Sequence, residues 1–269
     1  MAKADAGVTA VVLGALVGAV LALTGAGGGI FAVPLLILVL GLPVNQAAPV
    51  ALLAVGFGAA VGALLGLRDG TVRYRAAGWV AAMGLLVAPA GLWLGQRLPH
   101  TPLAVGFAAV LLLSSLRQWR GGCRGPSPAV ALMPCVLNPA VGRLRWTLPC
   151  ARALAITGAL AGALSGLLGV GGGFVIVPAL RRCSDLPMAS IVATSMAVIA
   201  LVSAGAVGSA LWWGVLRLDV GLPFAAGAAI GVLLGRRLLK RLAGPSLQKA
   251  FAVAGALAAA ALLYATLGH

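Results

Sequence analysis

Two glycine runs carry the chemistry this chain has to offer. Gly25, Gly27, Gly28 and Gly29 precede Pro34, and Gly169, Gly171, Gly172 and Gly173 precede Pro178 in the same spacing. A glycine run lets the backbone turn sharply and lets a ligand approach the main chain. A helix that starts there opens with unpaired N–H groups and the positive end of its dipole, which suits an anion. On this reading the candidate substrate-binding residues are Gly27, Gly28, Gly29, Gly171, Gly172 and Gly173, with the hydroxyls of Thr194 and Ser195 close behind the second run. Helix packing is the alternative for the glycines, and back-bonding to the preceding turn is the alternative for Thr194 and Ser195. Pro34 and Pro178 read as structural kinks in the segments that follow the breaks.

Other chemistries lack their residues. The chain contains no Glu, and its four Asp residues (Asp5, Asp69, Asp185 and Asp219) lie outside the apolar cores, so a carboxylate proton relay is missing. His100 and His269 also fall outside those cores. No GK[ST] follows either glycine run and no acid stands about twenty residues on, which excludes Walker and Rossmann loops. Cys123, Cys135, Cys150 and Cys183 form no CxxC pair and have no nearby His, so the sequence predicts neither a metal site nor a disulfide. No cofactor is implied.

The elements around the glycines must live in lipid. Of 269 residues 62% are hydrophobic and only 9% charged, against roughly 25% charged in soluble domains. The net charge of +15 comes in short clusters between apolar runs, so it reads as loops facing an anionic leaflet and not as a nucleic-acid surface. Apolar runs stand at 8–24, 30–40, 44–67, 76–95 and 102–116, and again at 153–168, 174–180, 187–213, 218–235 and 247–267. Two of them, 30–40 and 174–180, are too short to span. Trp79, Trp119, Trp146, Trp212 and Trp213 lie near run ends as interface anchors.

The two sets are copies. Gly14, Gly18, Leu23, Gly25, Gly27 to Gly29 and Pro34 recur at Gly158, Gly162, Leu167, Gly169, Gly171 to Gly173 and Pro178, at an offset of 144 (171 − 27). Pro43, Gly70, Arg73 and Phe107 keep the same register with Pro187, Gly214, Arg217 and Phe251. The spacings Gly14/Gly18 and Gly158/Gly162 predict close helix packing. Because the segment at 8–34 has an internal copy, it reads as part of the mature protein and not as a cleaved leader.

Charge gives the expected orientation. The loop after the third run carries Arg68, Arg73 and Arg75 and the next only Arg97, whereas in the second copy the richer loop is the later one, with Arg236, Arg237, Lys240 and Arg241. The halves therefore face opposite ways. The expected fold is all-α, a polytopic bundle of two inverted-topology repeats with about 8 membrane helices (range 7–10), each repeat opening with a short Gly-broken helical hairpin. The expected division is a first transmembrane repeat at 1–119, an Arg-rich cytoplasmic linker at 120–150 and a second repeat at 151–269, with both termini outside.

The duplicated G-x-GGG-x(4)-P element, with Ala193, Thr194, Ser195 and Met196 after its second copy, resembles the sulfite exporter TauE/SafE family, also called the 4-toluene sulfonate uptake permeases. The resemblance implies a bacterial inner-membrane transporter of sulfur-containing or organic anions such as sulfite, sulfonates or sulfoacetate, working in the lipid bilayer without nucleic acid. One departure stands out: similar proteins often carry a Thr-Ser pair after the first copy too, where this chain has Val50 and Ala51 behind Pro49. Export of a monoanion from a negative cytoplasm needs no proton relay, since it gains about 2.3 kcal/mol per 100 mV. The expected function is thus secondary transport or facilitated export. A non-transporting scaffold or accessory subunit is the alternative, and a membrane-embedded enzyme a more distant one.

Overall fold

Apolar runs bounded by Gly, Pro and Arg form helices because lipid offers no partner for backbone groups and a helix satisfies them internally. A computed structural model describes residues 2–25, 28–42, 44–97, 112, 135, 137–138, 143–144, 146–168, 172–212 and 216–242. Its helices in that range are α1 (Ala2–Thr24), α2 (Gly28–Leu40), α3 (Val44–Arg68), α4 (Tyr74–Arg97), α5 (Leu148–Leu168), α6 (Gly173–Cys183), α7 (Met188–Trp212) and α8 (Leu218–Leu242). Five contain stretches long and apolar enough to cross a membrane: Gly7–Thr24, Gln46–Arg68, Leu148–Gly166, Met188–Trp212 and Leu218–Arg237. The runs at 102–116 and 247–267, most of the linker, and Gly27 and Gly171 lie outside the described residues.

The sequence offset reappears in the elements. Adding 144 to the bounds of α3 gives those of α7, and adding it to the start of α4 gives the start of α8. Packing is reciprocal as well. A Cβ on Gly14 would meet Phe224 O, and one on Gly18 Ala228 O. A Cβ on Gly227 would meet Val11 O, and one on Gly231 Ala15 O. Residue numbers rise together along α1 and α8, so these helices run parallel with their backbones in contact. In the other pair Gly158 lies against Val80 O and Gly162 against Gly84 O, so α5 runs parallel to α4. Such seams exist because lipid tails are as apolar as leucine, leaving close van der Waals contact between backbones to hold helices together. The packing expected of Gly14/Gly18 and Gly158/Gly162 is therefore present. Between α3 and α7 the order reverses: Gly56 meets Ser203, Gly62 meets Met196 and Gly66 meets Ala193, so these two central helices are antiparallel.

Most of the described basic residues lie at one end of the bundle. Asp69, at the α3–α4 turn, accepts from Arg236 near the end of α8 at 2.6 Å, and Arg236 also donates to Gly62 O at 3.2 Å. Trp79 near the start of α4 donates Nε1–H to Ala151 O of α5 at 3.1 Å and meets Trp146 edge-on at 6.3 Å, with the Arg75 guanidinium 5.5 Å from the Trp146 ring centre. At the opposite end Arg217 pairs with Asp219 at 2.6 Å and reaches Gln46 at 3.4 Å, a neutralised cluster.

The architecture is all-α as expected, with one small antiparallel pairing among the described residues, Leu137–Asn138 (β1) with Arg143–Leu144 (β2). Two expectations need correction. First, Cys135 and Cys150 form a disulfide with Cα atoms 4.8 Å apart. No motif announces it, because the approach is tertiary: Cys135 N–H donates to Cys183 O at 3.0 Å, and Cys135 bridges Ser184, which carries the linker to the ends of α5 and α6. Closing a loop of 15 residues restricts the unfolded chain by about 3 kcal/mol. Second, the hairpin opening each half has only one short arm. Helices α1 and α5 hold 23 and 21 residues, while α2 and α6 hold 13 and 11, or about 20 and 16 Å.

Candidate functional site

The short helices begin at mid-height. Gly28, the first residue of α2, sits on its own repeat's α1: a Cβ there would lie 2.7 Å from Leu21 Cβ and 3.1 Å from Val17 O. The neighbouring Gly18 touches Ala228, which touches Gly58, two residues from the middle of α3. In the second half a Cβ on Gly172 would lie 2.6 Å from Ala161 O of α5. Gly162 beside it meets Gly84, and Gly84 reaches Val202, two residues from the middle of α7. The contact of Gly56 with Ser203 ties these two levels together.

Local sequence explains why the helices can start there. Gly172 takes φ +66°, a conformation that costs other residues roughly 1–2 kcal/mol, and caps α6 without a side-chain hydrogen bond. Its carbonyl accepts from Val175 N–H at 3.1 Å, so the first turn is closed by backbone alone. Gly29 and Gly173 are buried in the first turns of α2 and α6. Pro34 is buried inside α2, and Pro178 is exposed inside α6.

Both candidate hydroxyls go to the first repeat. Ser195, fully buried in α7, donates Oγ–H to Gly25 O at 2.8 Å and shares that proton with Val192 O at 2.9 Å. Gly25 ends α1 with its N–H on Leu21 O at 2.8 Å. Thr194 Oγ1 accepts Arg73 N–H of the α3–α4 turn at 3.1 Å. A hydroxyl has one proton, and Ser195 has committed its own to carbonyls. Thr194 has not spent its proton in accepting from Arg73. The back-bond considered for this pair is thus present at Ser195, together with a long-range one.

Ser203 escapes sequence reasoning. It is fully buried at mid-height facing Gly56, and its Oγ finds no hydrogen-bond partner among the described residues. A serine in an apolar helix gives no signal by itself; the location of the α3/α7 crossing is what singles it out. At the basic end, burial pushes the Cys183 thiol up, with Arg182 opposing.

Each half holds three long helices and one short one that starts at mid-height, joined by glycine-lined seams, which is the build of a polytopic membrane bundle. The chain matches the family model "Sulfite exporter TauE/SafE" over residues 10–262, nearly all of its length, and belongs to that family. The protein is accordingly a membrane protein of a transporter family. Comparisons with curated proteins and with solved structures give no significant match.

Proposed function

We propose that this chain is an inner-membrane secondary carrier or facilitator that exports small sulfur oxyanions or organosulfonates, and that it is not an enzyme. The observation that carries the reading is the start of α2 and α6 at mid-height with glycine first turns. Two positive helix ends would then face the centre of the bilayer, where Gly27 to Gly29 and Gly171 to Gly173 offer backbone N–H groups and Thr194 its hydroxyl proton. Ser195 supports this cradle by fixing Gly25. Pro34 and Pro178 each remove one backbone donor and set a bend in the short helix.

The inverted repeat is supported by helix directions. Consecutive spans α3 and α4 are antiparallel, α5 is parallel to α4, and α7 is antiparallel to α3. Corresponding helices of the two halves then run oppositely. The orientation rests on charge: Arg68, Arg75, Arg152, Arg181, Arg182 and Arg237 are exposed on the segments that meet at one end, which belongs in the cytoplasm together with linker 120–150. Both termini then lie outside. Such an end also raises the local concentration of anions at the entry side.

Counterflow in proteoliposomes tests the reading, with sulfite, thiosulfate and sulfoacetate as probes and acetate as control. Exchange of at least one sulfur anion, accelerated by an inside-negative potential in the export direction, is expected. Absence of exchange for all three with well-folded protein refutes it.

A further inference from the structure

Charge on the bundle is balanced in two places and left over in a third. Asp219 holds Arg217 at one end and Asp69 holds Arg236 at the other, each at 2.6 Å. Arg75, in the first turn of α4, and Arg152, in the second turn of α5, are exposed and have no carboxylate partner among the described residues. The parallel seam sets their depth. Val80 lies against Gly158 and Gly84 against Gly162, an offset of 78 (158 − 80 and 162 − 84), so Arg75 stands level with Ala153, one residue from Arg152. Two partly exposed rings lie with them. Trp79 is fixed to α5 by its hydrogen bond to Ala151 O, Trp146 meets it edge-on, and the Arg75 guanidinium lies 5.5 Å from the Trp146 ring centre. Ile156 and Leu160 follow Arg152 at helical spacing, on the same face of α5, and both are exposed. The fold does not require this cluster. At the 144-residue offset Arg75, Trp79, Trp146 and Arg152 correspond to Asp219, Pro223, Ala2 and Val8, so the matching seam between α8 and α1 carries neither arginine nor tryptophan at those positions.

We propose that the basic end of the α4–α5 seam is a binding site for an anionic phospholipid, whose phosphodiester Arg75 and Arg152 hold. A guanidinium presents a planar fork of donors that matches phosphate, and its contact with Trp146 holds Arg75 in place before the lipid arrives. The Trp79 and Trp146 rings lie at headgroup level, where amphipathic rings are at home, and Ile156 and Leu160 give an acyl chain an apolar track down α5. Basic sites between membrane helices take anionic headgroups in this way. A free phosphate would satisfy the arginines but leave the rings and the apolar track uncovered. The site needs only a chain seated in a bilayer and is independent of what the chain carries.

Native mass spectrometry of the full chain in detergent, titrated with dioleoyl phosphatidylglycerol or the neutral dioleoyl phosphatidylcholine, tests the site. At about fivefold per arginine near a membrane surface, the first phosphatidylglycerol should bind at least tenfold more tightly than the first phosphatidylcholine. Arg75→Gln with Arg152→Gln should bring the two lipids within about twofold of each other, with helix circular dichroism unchanged because both side chains are exposed. Arg237→Gln, at an exposed arginine of the same end, should leave the preference intact. Trp146→Ala should weaken phosphatidylglycerol binding and Trp146→Phe restore most of it. Equal binding of the two lipids by wild type, or an undiminished preference in the double variant, overturns the proposal. An equal loss in Arg237→Gln overturns it too, since diffuse charge would then be enough. Displacement of the lipid by inorganic phosphate at the same concentration would show an anion site that ignores the acyl chains, and would overturn the lipid as its occupant.

Discussion

Replacing Gly172 by Ala separates two burdens that the second break imposes on any other residue. The first is conformational, since φ at +66° costs an L-residue roughly 1–2 kcal/mol. The second is steric: the new methyl would stand 2.6 Å from Ala161 O and 3.1 Å from Ala161 Cβ, a crowding of the kind that costs about 1–3 kcal/mol. Together they come to about 2–5 kcal/mol. Gly41 provides the control, because it has φ +62° and nothing within 4 Å of the Cβ position. Gly41→Ala should therefore show the conformational cost alone. Thermal unfolding in detergent, followed by helix circular dichroism, should place Gly172→Ala below Gly41→Ala by a few degrees, at about 2–4 °C per kcal/mol for chains of this size. Sulfite flux per folded molecule should fall for Gly172→Ala and stay near wild type for Gly41→Ala. Equal melting temperatures for the two variants would show that α6 does not begin against α5, and the mid-height placement of its first turn would fail with it.

Other variants probe other parts of the bundle. Ser203→Ala removes a buried hydroxyl without a partner among the described residues, so stability should hold or rise; a loss above about 1 kcal/mol would show that the hydroxyl is engaged. Because burial raises the Cys183 thiol, iodoacetamide should label it slowly at pH 7 and faster as pH rises past about 8.5, the range of an exposed thiol. A labelling rate already on its plateau below pH 8 would contradict that environment. With the basic end in the cytoplasm, the Cys135–Cys150 pair forms in a reducing compartment, and its complete burial shields the bond once made. Thiol trapping after denaturation should recover a reduced fraction from intact cells, and that fraction should rise when the protein is unfolded in reductant; a pair reduced as fast in the folded protein as in the unfolded one would contradict the burial.

Much of the arrangement was legible in the residues themselves. Composition dictated the solvent, because 9% charge cannot cover a water-exposed surface. The constant 144-residue offset announced the duplication through Gly, Pro and Arg, and the same offset relates α3 to α7 residue for residue. Spacing at Gly14/Gly18 announced a packing seam, since helix period alone puts those residues on one face. What spacing could not supply was a partner. That the seam is shared with α8 of the other half, that Ser195 reaches back 170 residues to Gly25, and that Cys135 finds Cys150 beside the end of α6 all depend on how the helices cross. The length of α1 was also decided in three dimensions: its first residues are weakly apolar, and they are helical with the packed body that follows. Local sequence sets which backbone groups a segment can satisfy by itself, and so it sets helices, breaks and repeats. Contacts between segments distant in the chain belong to packing, where two hydroxyls in α7 and their absence from the matching positions of α3 make the two halves unequal.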